Sequence, residues 1–334
     1  MTPDLRQLRY FVAVAEERHF GRAARKLSMT QPPLSQAIRG LEEALGVELF
    51  ARTKRTVELT AVGADLLPEV RKLLAAADAL PPLAQSLARG EAGALSLAFV
   101  STADYGLLPQ LLREFAVRHP RVRLDLVEAT SDVQIEELVA GRIDAGLIIP
   151  PPPPRHVAAL TYLPVMREPL VAALPASSVP HRGRGEPPDW IDDPVSLADV
   201  GQLPLVIFPR RLAPGFYDII TGCYSAAGLT PRIGQEAIQM QTIVSLVSAG
   251  MGMALVPQSL RNLRRTGVVY RPLAERAPLI ETGLVWRTAD VSPVLAGFIE
   301  IVRAHAGRTQ GRVPRQANAG SRTKQGKDAR ERDA

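Results

Sequence analysis

The sequence predicts an α/β protein headed by a small all-α domain. Three observations carry this. Apolar residues recur at helical spacing through the first sixty residues, between short polar connections. From Leu95 to Arg303 short apolar runs alternate with amphipathic stretches, the order that builds a parallel sheet with helices on both faces. The 334 residues allow about two domains by length, and 46% are apolar, enough for sizeable cores. Aromatic residues are only 5%, so those cores are mainly aliphatic.

In the first helix Leu5, Leu8, Phe11, Val12 and Ala15 share a face. "FGRAARKL" follows His19 as a second, short helix, with Ala23, Ala24 and Leu27 inward; small alanines let another helix cross closely. After the tight connection "SMT", Thr30 is placed to cap a third helix. Pro32 and Pro33 then fall in its first turn, where amides have no intrahelical partner and a fixed φ suits the entry. Leu34, Ile38, Leu41 and Leu45 line its buried face. Gln31, Ser35, Gln36 and Arg39 lie opposite, with side chains able to bond base edges or phosphates. Two helices, a tight turn and a third helix with a polar leading face make a helix-turn-helix. In "VELFARTKRTVELT", Leu49–Arg52 and Thr56–Leu59 read as strands of a hairpin. It forms a wing that sets Arg52, Lys54 and Arg55 against the phosphates or minor groove; any one of them is equally at home on a solvated surface.

The stretch "LRYFVAVAEERHFGRAARKLSMTQPPLSQAIRGLEEALGVELFARTKRTVELTAVG" resembles the winged helix-turn-helix of the LysR-type transcriptional regulators, almost without a gap. The resemblance implies DNA contacts from Gln31, Pro32, Ser35, Gln36 and Arg39, with Arg52 and Lys54 at the wing. Many members carry Arg where this chain has Gln36, and Gln favours adenine where Arg favours guanine, so an altered operator preference follows.

Residues 61–89 read as one long connecting helix after a DNA-binding domain of residues 1–60. Leu66, Val70, Leu73, Ala77 and Leu80 alternate spacings of four and three, a coiled-coil seam whose partner is a second copy or the chain's own domain. In the resembled family this is the dimerising linker helix. Pro68 is expected to kink it, and Pro81–Pro82 to break or bend it near Leu80. "GEAG", residues 90–93, is the hinge.

Residues 94–306 carry "LSLAFVS", "VRLDLVEA" and "DAGLII" as strands, with helices between them. The last runs into "PPPPP". A second half follows with strands "LVAALP", "PLVIF", "RIGQEA" and "MALVP", and "IETGLVWR" returns toward the first. "GRIDAGLI" and "VSAGMGMALVP" fit the family pattern. The resemblance implies a two-lobed effector domain built like a type 2 periplasmic binding protein, with lobes near 94–165 plus 269–306, and 166–268. Ligands in open α/β sheets bind beyond the carboxyl ends of strands, at helix N-termini. Ser101–Thr102 and Thr130–Ser131 stand at two such junctions; both pairs suit a carboxylate, and both also suit plain capping. Phe208 and Pro209 are expected to add an apolar wall, and Arg210–Arg211 either a counter-charge or a solvated loop.

The remaining features exclude more than they assign. There is no nucleophile elbow, no HExxH and no P-loop, so no enzyme is expected. "SAGMGMAL" is not a dinucleotide fingerprint, and no cofactor is called for. Five scattered His and one Cys give no metal-ligand spacing; Cys223 reads as a core thiol. No run approaches the roughly 20 apolar residues of a membrane span. The N-terminus lacks the pattern of a signal peptide, so a cytoplasmic protein is expected and a transport solute-binding protein is disfavoured. Net charge is +6, and residues 307–334 contribute eight Lys/Arg against three acids. That apolar-poor tail is expected to be disordered, either solvated or an auxiliary arm on DNA.

The resemblance implies paired dimers forming a tetramer on a long operator. An effector between the lobes changes their angle, relaxes DNA bending and lets RNA polymerase engage. "QPPLSQAIRGLEEALGVELF", with "EATSDVQIEEL" and its Thr130, is similar to members that control aromatic-compound degradation through muconate-like dicarboxylates. A regulator of another metabolic or efflux pathway is the alternative.

Overall fold

The computed structural model describes residues 3–52, 57–149, 152, 158–180, 188–276, 278–290 and 292–310. Lys54, Arg55, most of the five-proline run and the tail beyond Gln310 lie outside them. The chain forms two compact units, Met1–Arg89 and Gly90–Ala334.

In the first unit, α1 (Leu5–Glu17) opens with a capping box. The Asp4 carboxylate accepts from the Arg6 amide at 3.0 Å, and Gln7 Oε1 accepts from the Asp4 amide at 3.1 Å. Its buried residues are Leu8, Phe11, Ala13, Val14 and Ala15, while Leu5 is exposed. The buried stripe is wider than the sequence pattern because α1 packs against three helices, α2 (Phe20–Lys26), α3 (Gln31–Leu45) and α4 (Ala61–Ala88). The His19 ring caps α2, its Nδ1 accepting from Gly21 and Arg22 at 3.0 and 3.2 Å. Gly46 ends α3 with φ +72°, a left-handed conformation that favours glycine. The wing is an antiparallel pair, β1 (Phe50–Arg52) and β2 (Val57–Leu59), with Phe50 opposite Leu59. Glu42 of α3 anchors its base by accepting from the Leu49 and Phe50 amides.

Gly63 lets α4 cross that base closely, since a Cβ there would lie 2.3 Å from the Leu49 carbonyl oxygen. The expected break at Pro81–Pro82 does not occur: α4 runs through Pro68, Pro81 and Pro82 as a single helix of 28 residues. Its second half is largely exposed, so water can satisfy carbonyls that the prolines leave without donors. The expected seam also divides. Val70 and Leu74 are buried in the unit's own core with Leu66 packed against it. Leu73, Leu80, Leu83 and Leu87 remain exposed.

The second unit is α/β. Its first lobe holds β3 (Ala92–Phe99), β4 (Arg121–Glu128) and β5 (Ala145–Ile148), with β3 central and parallel to both. α5 (Leu107–Arg118) and α10 (Pro293–Gln310) cover one face around Leu111, Phe115 and Phe298, and α6 (Ser131–Val139) covers the other around Ile135 and Leu138. β6 (Leu160–Pro175) is one strand of 16 residues, of which only "LVAALP" was expected. Its first part pairs with β11 (Leu279–Arg287), and its end pairs with β9 (Ala254–Pro257) and β10 (Val268–Pro272) in the second lobe. β10 therefore belongs to the second lobe's sheet, and the return falls after Pro272 instead of near residue 269. The second lobe adds a short α7 (Leu197–Val200), β7 (Leu205–Ile207), α8 (Pro214–Ala226), β8 (Ile233–Glu236) and α9 (Met240–Ser248), with β7 parallel to β8. Its core includes Val206, Ile220, Val244, Val256 and Tyr270.

Candidate functional site

The helix-turn-helix presents its polar residues as a face. Leu34, Ile38 and Leu41 bury one side of α3, whereas Gln31, Pro32, Gln36 and Arg39 are exposed and Ser35 is half-buried. Arg39 makes no ion pair among the described residues, so its guanidinium is available to an external anion. Thr30 caps α3 by its backbone position only; its hydroxyl makes no capping bond. The cause is local: the second and third residues of the helix are Pro32 and Pro33, which have no amide hydrogen to donate. Arg52 closes β1 opposite Val57.

Between the lobes of the second unit lies a cavity of about 200 Å3. Ser101, Thr102, Thr130, Ser131 and Phe208 all line it; Pro209 does not. The two hydroxyl pairs follow β3 and β4, and Phe208 follows β7, so the carboxyl ends of strands from both lobes meet here. Three helices also start on it: α6 after Thr130, α8 after Ala213 and α9 after Gln239. None of the three has a side-chain cap, so their leading amides and positive dipole ends are left for another partner.

The hydroxyls divide by role. Ser131 Oγ donates to the Ile149 carbonyl at 2.7 Å and accepts from the Ile149 amide at 3.1 Å, tying the start of α6 to the end of β5. The Thr130 hydroxyl does not cap its own helix. Thr102 is 5% exposed, and its Oγ1 is buried with no hydrogen-bond partner among the described residues. Leaving such a group unmade costs about 1–3 kcal/mol. Phe208 stacks on Phe216 with centroids 5.1 Å apart; with Leu212, Ile238 and Met240 they make the apolar wall. Phe216, Ile238, Gln239, Met240 and Glu128 were not anticipated. The signal for them was the same one used for Thr130, a helix beginning just after a strand.

Arg210 and Arg211 are not among the lining residues. Arg210 forms a forked pair with Asp218 at 2.8 and 2.9 Å, so it is engaged outside the cavity. Cys223 is buried and its Sγ donates to the Ile219 carbonyl; burial pushes its thiol pKa up, which keeps it protonated and unreactive.

Residues 5–64 match the family described as bacterial regulatory helix-turn-helix protein, lysR family, and residues 88–307 match the LysR substrate binding domain. The chain belongs to the LysR family of transcriptional regulators. This LysR-family chain is 54% identical to the HTH-type transcriptional regulator IlvR of Caulobacter vibrioides, over 90% of this chain and 97% of that protein. It is 40% identical to the HTH-type transcriptional regulator AlsR of Bacillus subtilis, over 92% and 98% respectively. Among solved structures, full-length CbnR complexed with its target DNA superposes with a TM-score of 0.70 at 31% identity, covering 91% of this chain and 99% of that one. The LysR regulator thus combines a DNA-binding winged helix with a two-lobed effector-binding domain. No helix among its described residues is long and apolar enough to cross a membrane.

Proposed function

We propose that this regulator docks α3 in the major groove through Gln31, Pro32, Ser35, Gln36 and Arg39, with the wing residues Arg52, Lys54 and Arg55 along the backbone. Two copies pair through the exposed stripe of α4, and two such pairs form a tetramer on one operator. The interlobe cavity binds a small carboxylate, its charge held by the start of α6 and the hydroxyls of Thr102 and Thr130. Ser101 adds a third hydroxyl, Ser131 holds the helix start in place and Phe208 carries the apolar body. Ligand binding favours one angle between the lobes, which changes the spacing of the recognition helices, the bend of the DNA and access of RNA polymerase.

The observation that carries the effector reading is the convergence of three uncapped helix starts and one buried, unpartnered hydroxyl on a single cleft. Full-length CbnR complexed with its target DNA, similar to this chain over 91% of its length, supports the docking. The effector in this reading is an acid from aromatic-compound degradation. Thermal unfolding of the full chain with benzoate, salicylate and cis,cis-muconate tests it. A true effector at a hundredfold over its Kd adds about 2.7 kcal/mol of stability, and Thr130→Val abolishes that gain. If none of the three shifts the midpoint while the protein still binds its upstream DNA, the aromatic-acid assignment falls and the regulator remains.

A further inference from the structure

The charges around the cavity are one-sided in an informative way. Its positive features are all backbone: the starts of α6, α8 and α9. No Lys, Arg or His is among its lining residues, and the one ionisable side chain there is an acid, Glu128. Glu128 is the last residue of β4 and lies next to the hydroxyl-bearing start of α6. Its charge reaches at least one neighbour outside the lining, Tyr105. Tyr105, which packs against the second lobe's core, has its phenol pushed up to about 12, first by burial, then by the charges of Asp104 and Glu128.

An acid beside an anion site is costly unless the ligand answers it. A dicarboxylate sets its second charge either against Glu128 or against the apolar wall of Phe208, Phe216 and Met240. A simple monocarboxylate leaves Glu128 facing uncharged atoms. A ligand with an ammonium near its carboxylate satisfies both ends. Glu128 and Ser131 are only three residues apart, within about 10 Å along an extended chain, so the two charges must sit close together on the ligand. The apolar wall opposite then takes the remaining part.

Resting on the reading of this cavity as the effector site, and replacing its aromatic-acid assignment, we propose that the effector is a zwitterion of the α-amino-acid type with an apolar side chain. Its carboxylate is held by the start of α6 with Thr102 and Thr130, and its ammonium by Glu128.

Isothermal titration of the full chain tests this with L-valine, L-leucine and L-phenylalanine, each against its deaminated acid (isovalerate, isocaproate and hydrocinnamate), with benzoate and cis,cis-muconate alongside. At least one amino acid binds about tenfold or more tighter than its deaminated partner, the factor expected for one charge pair in a partly desolvated cleft. In Glu128→Gln that ratio falls to about one. The proposal is overturned if the deaminated acids, benzoate or muconate bind as tightly as the amino acids, if no amino acid binds, or if the preference survives Glu128→Gln. Binding of acids alone, lost in Thr130→Val, leaves the cavity as the effector site and removes only the zwitterion. Binding of neither class removes both.

Discussion

Thr30 and Thr130 occupy the same position, the N-cap of a helix, and neither uses its hydroxyl there. For Thr30 the reason is written in the next residues, because the prolines after it have no amide hydrogen. For Thr130 the amides are present, and its hydroxyl, which makes no capping bond, shares a cavity with Thr102 Oγ1, which has no partner among the described residues. A buried polar group held without a partner is a cost to the folded protein. Thr102→Val, nearly isosteric, is therefore expected to raise the stability of the ligand-free protein by about 1 kcal/mol while weakening effector binding. Denaturant unfolding checks the first and calorimetry the second; a loss of stability would show that water already satisfies the hydroxyl. On the other unit, Arg39 is exposed and makes no ion pair among the described residues. Arg39→Ala should weaken binding across unrelated DNA sequences and lower the slope of log affinity against log salt by about one. An unchanged slope would displace Arg39 from the phosphates.

At the scale of elements, α4 is the informative case. Its base is clamped to the winged helix: Glu16 of α1 bonds Arg71 of α4 at 3.0 Å and Lys26 of α2 at 3.1 Å. Those two cations hold the Glu16 carboxyl below its usual range, Lys26 contributing first. With Val70 and Leu74 given to the intrachain core, the stripe left for a partner is Leu73, Leu80, Leu83 and Leu87. Spacings of seven between Leu73, Leu80 and Leu87 follow a coiled-coil seam. Under the proposed pairing, Leu80→Asp shifts the protein from pairs to single chains in sedimentation velocity, with helix content retained. An unchanged sedimentation coefficient would send the pairing surface elsewhere. The heptad was legible in the sequence. Which leucines it would spend on its own domain was not, because spacing gives a face and not the element that covers it.

At the scale of the molecule, the lobes are joined by β6, which passes from one sheet into the other. Glu168 sits at that crossing, 8% exposed, and accepts from the Ser259 amide at 2.6 Å and its hydroxyl at 3.0 Å. The turn that begins there also reaches back to the first lobe, where Asn262 Nδ2 donates to the Tyr105 carbonyl at 2.7 Å. Burial raises the Glu168 pKa above 4.5, outweighing the two bonds from Ser259. A group whose folded pKa is raised contributes stability that is full below its unfolded value and is lost as pH rises through the folded one. Wild type should then lose stability, relative to Glu168→Gln, as pH rises from 4.5 through that raised value. Unfolding midpoints of both proteins across that window decide it. A constant gap between them at every pH would mean that folding leaves the Glu168 pKa unshifted.

By itself the sequence determined the winged helix-turn-helix with its proline-stiffened entry and the α/β character of the rest, though not β10 or the first part of β6. These follow from spacing and from local backbone chemistry, which act within a few residues. It also marked Ser101, Thr102, Thr130, Ser131 and Phe208, because a strand followed by a helix start is a local signal. Only the tertiary structure decided that these residues from both lobes line one cavity together with Glu128, that Ser131 is bonded to Ile149 and that Arg210 is taken by Asp218. Which strand ends and helix starts of the two lobes meet depends on packing between segments far apart in the chain, and such packing leaves no periodic trace in the sequence.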